Sequence, residues 1–156
     1  MNAWLPVVAG TGSAVAGGFY FAFSAVVMPA LRRWPAPEAA AAMAAINERA
    51  VTPPFMILFF GTAAACGANI IAAATDPQHS TPLRVAGSVA YLTGWALTMA
   101  VNVPLNNRLA STGPRGLEAM WDVFEQPWTR ANHVRAALSL AGALGLMVPV
   151  LVDPVH

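Results

Sequence analysis

Four long stretches of the chain contain no Asp, Glu, Lys, Arg or His. They cover residues 5–31, 50–75, 85–107 and 136–152, which gives lengths of 27, 26, 23 and 17 residues. A helix needs about 20 residues to cross the hydrocarbon of a membrane, so the first three suffice and the fourth needs its N-terminal flank. The apolar residues are continuous and do not alternate, which favours helices over strands. The pattern therefore predicts four transmembrane helices.

These helices span approximately residues 5–31, 53–75, 83–105 and 130–152 within a single domain, residues 1–156. Transmembrane helices that follow one another along the chain cross the bilayer in opposite directions. We therefore expect an all-α fold, namely an integral membrane antiparallel four-helix bundle.

The first and third connections between these helices have helical patterns of their own. Residues 37–50 are rich in alanine and begin with Pro-Glu, which predicts a short helix. Residues 115–126 place apolar side chains on one face and acidic side chains on the other, which predicts an amphipathic helix that ends at Pro127. Because the polar face is acidic, we expect this helix to cover the bundle end instead of binding anionic lipid.

Composition supports a membrane location. Only 10% of the residues are charged and 57% are hydrophobic, whereas about 25% of an ordinary soluble domain is charged. The first stretch lacks a positive N-terminal region and is too long for a signal peptide, so we interpret it as a span. The net charge of +1 and the absence of lysine argue against a nucleic-acid partner. The single cysteine, Cys66, excludes an internal disulfide.

Arginine placement predicts the orientation. Seven of the eight arginines fall in the first and third connections, and one falls in the second. Positive residues stay on the cytoplasmic side of a membrane. We therefore expect a multi-pass protein of the cell (inner) membrane with both termini extracytoplasmic and the first and third connections cytoplasmic.

Each predicted helix carries polar and aromatic residues at helical spacing on one face. Polar side chains are costly in hydrocarbon and should face the bundle interior, although Ser and Thr also bond their own helix and Trp and Tyr also mark the membrane interface. The set comprises Ser13, Gly17, Tyr20 and Ser24 in the first helix, Thr62, Cys66 and Asn69 in the second, Ser88, Tyr91, Trp95, Thr98 and Asn102 in the third, and Trp128, Asn132, Arg135, Ser139 and Gly142 in the fourth.

Polar residues collect at the cytoplasmic end of the predicted bundle, where the first and third helices finish. This placement predicts a cavity that opens towards the cytoplasmic leaflet and that an apolar ligand enters from lipid. The residues gathered there are Ser24, Asn47, Asn102, Asn106, Asn132, His133 and Arg135.

Two of these residues are candidates for chemistry. Arg135 lies three residues after Asn132 on the same face, and an arginine inside a membrane indicates function unless Glu48 or Glu125 pairs with it. His133 lies about 100° from that face, so it either enters the cavity as a base or faces a neighbouring helix.

Other classes of site lack their parts. The three histidines, His79, His133 and His156, do not converge, and none of the four stretches contains a carboxylate, so we predict no metal site. Phosphate-binding motifs and nucleophile triads are also missing. Amide donors, a guanidinium and aromatic walls remain, and this set suits polarising a carbonyl or stabilising an enolate in a dry pocket.

Four short segments occur in a recognisable order: FSAVVMPAL at residues 23–31, AMAAIN at 42–47, VNVPLN at 101–106 and WTRANHVR at 128–135. Together they resemble the anthrone oxygenase-like family of small four-helix membrane proteins, and N-x-P-x-N and W-x-x-x-N-x-x-R are the most specific elements. The resemblance implies oxidation of an anthrone to an anthraquinone by molecular oxygen as co-substrate, with no metal or flavin cofactor.

The resemblance suggests a role for each residue at the predicted cavity. Arg135, with Asn102, Asn106 or Asn132, would hydrogen-bond the carbonyl oxygen and favour the enolate. His133, or a water that it orients, would take the proton from the opposite methylene carbon. The remaining predicted residues bind the hydrophobic aromatic substrate: Tyr20, Ser24, Asn47, Tyr91, Trp95 and Trp128.

Two other functional classes stay open on the sequence. The first is a non-catalytic membrane protein that binds a hydrophobic quinone-like ligand or a partner subunit. The second is a transporter, which a bundle without inward carboxylates suits poorly. Small residues at a spacing of four also permit close helix packing, either within the bundle or between two copies of the chain. They are Gly10, Ala14 and Gly18 in the first helix and Ala137, Ala141 and Gly145 in the fourth.

Overall fold

The computed structural model describes residues 4–76 and 81–152, and all regular structure in these two ranges is helical. The predicted all-α class is therefore confirmed. In chain order the elements are α1 (Trp4–Ala22), the π turn π1 (Phe23–Val27), α2 (Met28–Leu31), α3 (Ala36–Ala50), α4 (Pro53–Thr75), α5 (Pro82–Leu97), the π turn π2 (Thr98–Asn102), α6 (Val103–Ser111), a 3₁₀ turn (Pro114–Gly116) and α7 (Leu117–Val152).

Three helices in the described ranges are long and apolar enough to cross a membrane, not the four that we predicted. They are Trp4–Leu31, which joins α1, π1 and α2, then α4 (Pro53–Thr75), and α7 with its preceding turn (Pro114–Val152). The predicted third span forms α5, π2 and α6, but Asn102, Asn106 and Asn107 interrupt its apolar run. The connection helix α3 is present as expected. The described ranges therefore contain five helical rods, namely α1–π1–α2, α3, α4, α5–π2–α6 and α7.

The predicted helix end at Pro127 is wrong, because Pro127 lies inside α7, which is 36 residues long. The cover helix and the last span are therefore one rod that starts at Leu117. Pro127 is exposed, while Trp121, Phe124 and Trp128 are buried. An internal proline costs a helix about 3 kcal/mol, and burial of three aromatic side chains is large enough to offset this cost.

The end of the bundle next to α3 is covered by a compact apolar cluster. Ala39, Ala40 and Met43 of α3 are fully buried against Met28 and against the aromatic face of α7. The Arg32 side chain donates a charge-assisted hydrogen bond to Glu125 of α7. These contacts fix α3 and the first turns of α7 over the ends of the other helices.

Both π turns precede a proline. The N–H of Met28 donates to the carbonyl of Phe23, and the N–H of Val103 donates to that of Thr98, five residues back in each case. A proline ring clashes with the carbonyl four residues before it, and Pro29 and Pro104 follow the two donors directly. The wider turn accommodates the ring, and π turns of this kind are frequent at functional sites.

The opposite end of the bundle is packed through glycines. A methyl group added to Gly87 of α5 would lie 2.8 Å from the carbonyl oxygen of Gly142 and 3.0 Å from the carbonyl carbon of Gly145. Only glycine therefore allows α5 and α7 to approach this closely. Of the small-residue stripes that we predicted, Gly10 and Gly145 pack inside the bundle, whereas Gly18, Ala137 and Ala141 are exposed. Pairing of two copies through these faces stays a prediction.

Candidate active site

A cavity lies at the end of the bundle that α3 covers. Its volume is about 100 Å³, which is below the roughly 300–1,000 Å³ that ligand pockets typically have, and it opens outwards. Five helices and both π turns contribute to its walls, and most of the lining side chains are aromatic or aliphatic. The lining residues are Phe19, Tyr20, Phe23, Asn47, Ala50, Phe55, Met56, Phe59, Thr98, Val103, Asn106, Trp128 and Arg135.

Arg135 supplies a buried positive charge to the cavity wall. The residue is only 5% exposed, and its guanidinium carbon lies 4.0 Å from the centroid of the Tyr20 ring and 5.7 Å from that of Trp128. Aromatic faces attract a desolvated cation by about 2 kcal/mol. This attraction stabilises the charge without neutralising it.

No carboxylate pairs with Arg135 in the described parts of the chain. The sequence offered Glu48 and Glu125 as partners, but Glu125 pairs with Arg32 and Glu48 is exposed. The Nε of Arg135 is buried without a hydrogen-bond partner. A buried cation without a counter-ion is costly, so this wall favours a ligand that brings an electron-rich oxygen.

Asn132 fixes the position of Arg135. Its Oδ1 accepts a hydrogen bond of 3.0 Å from Nη2 of Arg135. Its Nδ2 donates to the backbone carbonyl of Tyr20 at 2.7 Å and to the hydroxyl of Ser24 at 2.8 Å. One fully buried amide therefore connects α7 to α1 and to π1 and orients the guanidinium.

A second amide network connects α6 to α7. The Nε1 of Trp128 donates to Oδ1 of Asn106 at 2.8 Å, and Nδ2 of Asn102 donates to the carbonyl of Trp128 at 3.3 Å. The Trp128 ring therefore has a defined orientation at the cavity wall, beside Arg135. The Oδ1 of Asn102 is buried without a partner.

Phenylalanines form the opposite wall. Phe19 of α1 lies with its ring centroid 4.8 Å from that of Phe55 and 5.0 Å from that of Phe23. Phe55 and Phe59 are stacked along α4 at 6.1 Å, and Phe59 stacks in turn on Trp95 at 5.8 Å. The cavity is therefore bounded by flat apolar surfaces together with the guanidinium of Arg135.

The sequence profile of the anthrone oxygenase family matches residues 55–145. The match covers 91 of the 156 residues, from the aromatic wall on α4 to a point well beyond Arg135 on α7. The chain belongs to the anthrone oxygenase family. Comparison with curated proteins and with solved structures finds no match.

The polar and aromatic residues that we predicted on one face of each helix lie towards the interior of the bundle. Fifteen of the seventeen residues in this set are buried, Arg135 and Gly17 among them, whereas Trp95 and Ser24 are half-buried and Ser24 still bonds Asn132. Gly17 packs against Leu140. The buried members other than Arg135 and Gly17 are Ser13, Tyr20, Thr62, Cys66, Asn69, Ser88, Tyr91, Thr98, Asn102, Trp128, Asn132, Ser139 and Gly142.

The predicted site residues separate into those that line the cavity and those that stand behind its wall. The cavity is lined by Arg135, Asn106, Tyr20, Asn47 and Trp128. Three others, Asn132, Asn102 and Trp95, contact lining residues without lining the cavity themselves, and Ser24 accepts a hydrogen bond from Asn132 behind the wall. Tyr91 also lies behind the wall, where its hydroxyl donates a long hydrogen bond of 3.4 Å to the carbonyl of Phe59.

His133 does not reach the cavity of this anthrone oxygenase family protein. It is exposed on α7 and is absent from the lining, one residue after the fully buried Asn132. The rotation of about 100° per residue turns the imidazole away from the face that carries Arg135. We therefore drop the prediction that His133 acts as a base in the cavity.

Sequence reasoning missed most of the apolar wall. Phe19 and Phe23, and likewise Phe55 and Phe59, are spaced four residues apart, which places each pair on one helical face. This spacing was available as a signal, but apolar residues in a membrane helix point to lipid as often as to the interior. Only the packing of α1 against α4 shows that the two pairs face each other.

An apolar groove adjoins the cavity. It runs between α1, α3 and α4 and shares Phe19, Phe23, Ala50 and Phe55 with the cavity lining. Arg49 lies at its edge, and the groove is open to the outside. The shared phenylalanines therefore separate the cavity from the apolar exterior.

Metal-binding residue types do not cluster in the described ranges. No group of three His, Cys, Asp or Glu side chains is positioned there to bind an ion. Two of the histidines weighed from the sequence, His79 and His156, lie outside the described residues.

Proposed function

We propose that the protein is a membrane-embedded, cofactor-independent oxygenase that oxidises an anthrone-like aromatic polyketide to a quinone with O2. The observation that carries this proposal is the buried guanidinium of Arg135, which has no carboxylate partner among the described residues and lines an aromatic cavity. Membership of the anthrone oxygenase family supports the reaction class.

The proposed reaction begins at the substrate carbonyl. Arg135 hydrogen-bonds the carbonyl oxygen and stabilises the negative charge that develops there when the opposite methylene carbon gives its proton to solvent at the opening of the cavity, since no histidine or carboxylate is among the lining residues. Donors that are oriented before the reaction stabilise such an oxyanion strongly, and loss of one typically costs a factor of about 10²–10³ in rate. Asn132 acts as a positioning residue, because it orients Arg135 without lining the cavity.

Oxygen then reacts with the electron-rich anion itself. The methylene carbon loses two hydrogens and gains one oxygen atom of O2 as a new carbonyl, and the second oxygen atom leaves as water. The anion supplies the electrons that reduce O2, so the proposal needs no metal or flavin. The stacked flat rings of Phe55 and Phe59 match a planar substrate.

The groove between α1, α3 and α4 is the proposed entrance. It is apolar and shares four residues with the cavity, so a hydrophobic aromatic molecule can pass from lipid to the cavity without crossing water.

The proposed location is the cell (inner) membrane with the arginine-rich connections on the cytoplasmic side. A cysteine introduced at Arg33 should then react with a membrane-impermeant maleimide only after the cytoplasmic side is exposed.

Turnover of purified protein tests the function. Addition of an anthrone in detergent should produce anthraquinone absorbance in the presence of O2 and none under argon. Arg135→Ala should reduce the rate at least about 100-fold while retaining the helical circular dichroism. Arg130→Ala is the matched control, because this arginine is exposed on the same helix. An unchanged rate in Arg135→Ala would contradict the proposed role.

The same assay separates the oxygenase from a non-catalytic quinone-binding protein. A binding protein should quench the fluorescence of Trp128 at the cavity wall when the anthrone is added, and it should form no anthraquinone beyond the protein-free rate.

A further inference from the structure

We infer that the cavity takes up its aromatic ligand as an anion, an ionised phenolate or enolate, and that Arg135 selects this charged form against the neutral one. The inference rests on the proposed function only for the aromatic class of the ligand. The charge preference follows from the charges and hydrogen bonds around Arg135.

The first observation is an uncompensated positive charge. The ion pair between Arg32 and Glu125 lies outside the cavity. Arg135 makes one side-chain hydrogen bond, to the neutral amide of Asn132, and leaves its Nε without a partner. A buried charge requires a partner of opposite sign or a strong hydrogen-bond acceptor.

The second observation concerns every element packed around Arg135. Tyr20 of α1 lies under the guanidinium, Tyr91 of α5 is the other ionisable group that interacts with it, and α4 contributes phenylalanines. The α3 residue at the cavity is the neutral Asn47, because Glu48 and Arg49 are exposed. On α7 the neighbouring His133 is exposed as well. No acidic side chain in the described ranges therefore neutralises the cavity.

The third observation is the lack of a base. The lining contains no histidine and no carboxylate, so a neutral ligand that must lose a proton inside the cavity finds no residue of the usual type to accept it. A ligand that gives its proton to solvent at the opening of the cavity enters with the negative charge that would pair with Arg135. A positive charge within about 4–6 Å typically lowers the pKa of an acidic group by about one to three.

The test uses 2-hydroxyanthraquinone, which has the flat ring system and a phenol but no methylene carbon to oxidise. Its phenolate absorbs at longer wavelength than the neutral phenol, so a pH titration in detergent reports the ionisation midpoint of the bound dye. We expect the midpoint on the wild-type protein to fall by at least about one unit relative to the dye in detergent alone. Equivalently, the anion binds at least about tenfold more tightly than the neutral form.

Two substitutions at Arg135 separate charge from polarity. Arg135→Gln should abolish the shift, because it keeps a hydrogen-bond donor and removes the charge, whereas Arg135→Lys should retain most of it. Arg130→Gln removes the same charge from the exposed face of α7 and should leave the shift unchanged. The wild-type titration requires no variant, so it remains decisive if Arg135→Gln fails to fold.

The outcomes distinguish this inference from the proposed function. A lowered midpoint without any anthrone oxidation would support the anion site and overturn the oxygenase. Anthrone oxidation together with an unchanged or raised midpoint would overturn the anion site and leave the oxygenase in place. A shift that persists in Arg135→Gln would also overturn the assignment to Arg135.

Discussion

The two ends of the bundle are built on opposite packing principles. At one end, Gly87 of α5 meets Gly142 and Gly145 of α7, and the backbones touch. At the end covered by α3, large rings such as Phe59 and Trp128 lie between the helices and line a cavity of about 100 Å³. Small residues thus close one end and aromatic residues open the other. The first arrangement leaves no space between α5 and α7, whereas the second places Arg135 on the wall of a cavity.

Substitution of Gly87 should break the closed end and have the largest effect. Gly87→Leu places side-chain atoms where a single methyl group already lies 2.8 Å from a backbone oxygen. Since backbone atoms yield less readily than side chains, we expect a loss of about 3 kcal/mol or more. Thermal unfolding in detergent, followed by circular dichroism, measures this loss. Gly67→Ala is the control, because its methyl group meets nothing within 4 Å, and an equal loss there would contradict the argument.

Substitution of Asn132 should damage the open end next most strongly. Asn132→Leu removes three hydrogen bonds at once and leaves Arg135 without its acceptor. We expect a loss of about 1–3 kcal/mol in stability and, under the proposed activity, at least a tenfold lower kcat. Asn132→Asp should not restore the rate, because its carboxylate would neutralise Arg135 and could no longer donate to the carbonyl of Tyr20. Equal kcat values for the wild type and Asn132→Leu would remove the positioning role.

Trp128→Phe should have a smaller effect on the same end. The ring and its contacts remain, but the hydrogen bond of 2.8 Å to Asn106 is lost. A neutral hydrogen bond contributes about 1 kcal/mol, so we expect a comparable loss of stability and a several-fold change in ligand affinity. Denaturant titration and dye binding measure the two quantities. If Trp128→Phe and Asn106→Leu have fully additive effects, the two residues are not coupled as described.

Phe55→Ala should alter access to the cavity more than its chemistry. It removes the ring that packs 4.8 Å from Phe19 and is shared by the groove and the cavity. Aromatic pairs contribute about 0.5–1.5 kcal/mol, so KM should change roughly two- to tenfold while kcat stays nearly constant. Ile57→Ala is the control on the exposed face of α4. A fall in kcat without a change in KM would argue against an entrance at this position.

Chelation should have no effect. If the proposed chemistry runs on the substrate anion and O2 alone, dialysis of the purified protein against EDTA leaves the rate of anthraquinone formation unchanged. Loss of activity that returns on addition of a divalent metal would overturn the cofactor-independent mechanism.

Burial of the polar residues could be predicted from the sequence because helical periodicity is a local property. The spacing of Tyr91, Trp95 and Asn102 places them on one face whatever the neighbouring helix is, and a polar group in a membrane helix faces inwards. The same rule assigned Asn132 and Arg135 to one face, and it placed His133 about 100° away. Whether that angle keeps the imidazole out of the cavity depends on the neighbouring helices, and the exposed position of His133 decides it.

Helix boundaries at prolines were predicted less well. Pro127 has the same local signature as a helix stop, yet α7 continues because Trp121, Phe124 and Trp128 pack against α3. Pro29 and Pro104 do not end their helices either, since π turns widen the backbone ahead of them. Local propensity cannot weigh these contacts, because the partner residues are distant in the chain.

The sequence by itself determined the all-α class, the apolar helices, the inward faces and the buried arginine. Each of these depends on the periodicity of one helix and on the cost of polar groups in an apolar medium. The tertiary structure alone decided the aromatic wall, the continuity of α7, the exposure of His133 and the missing counter-ion of Arg135. These features depend on which helices meet and at what distance, and residues far apart in the chain set both.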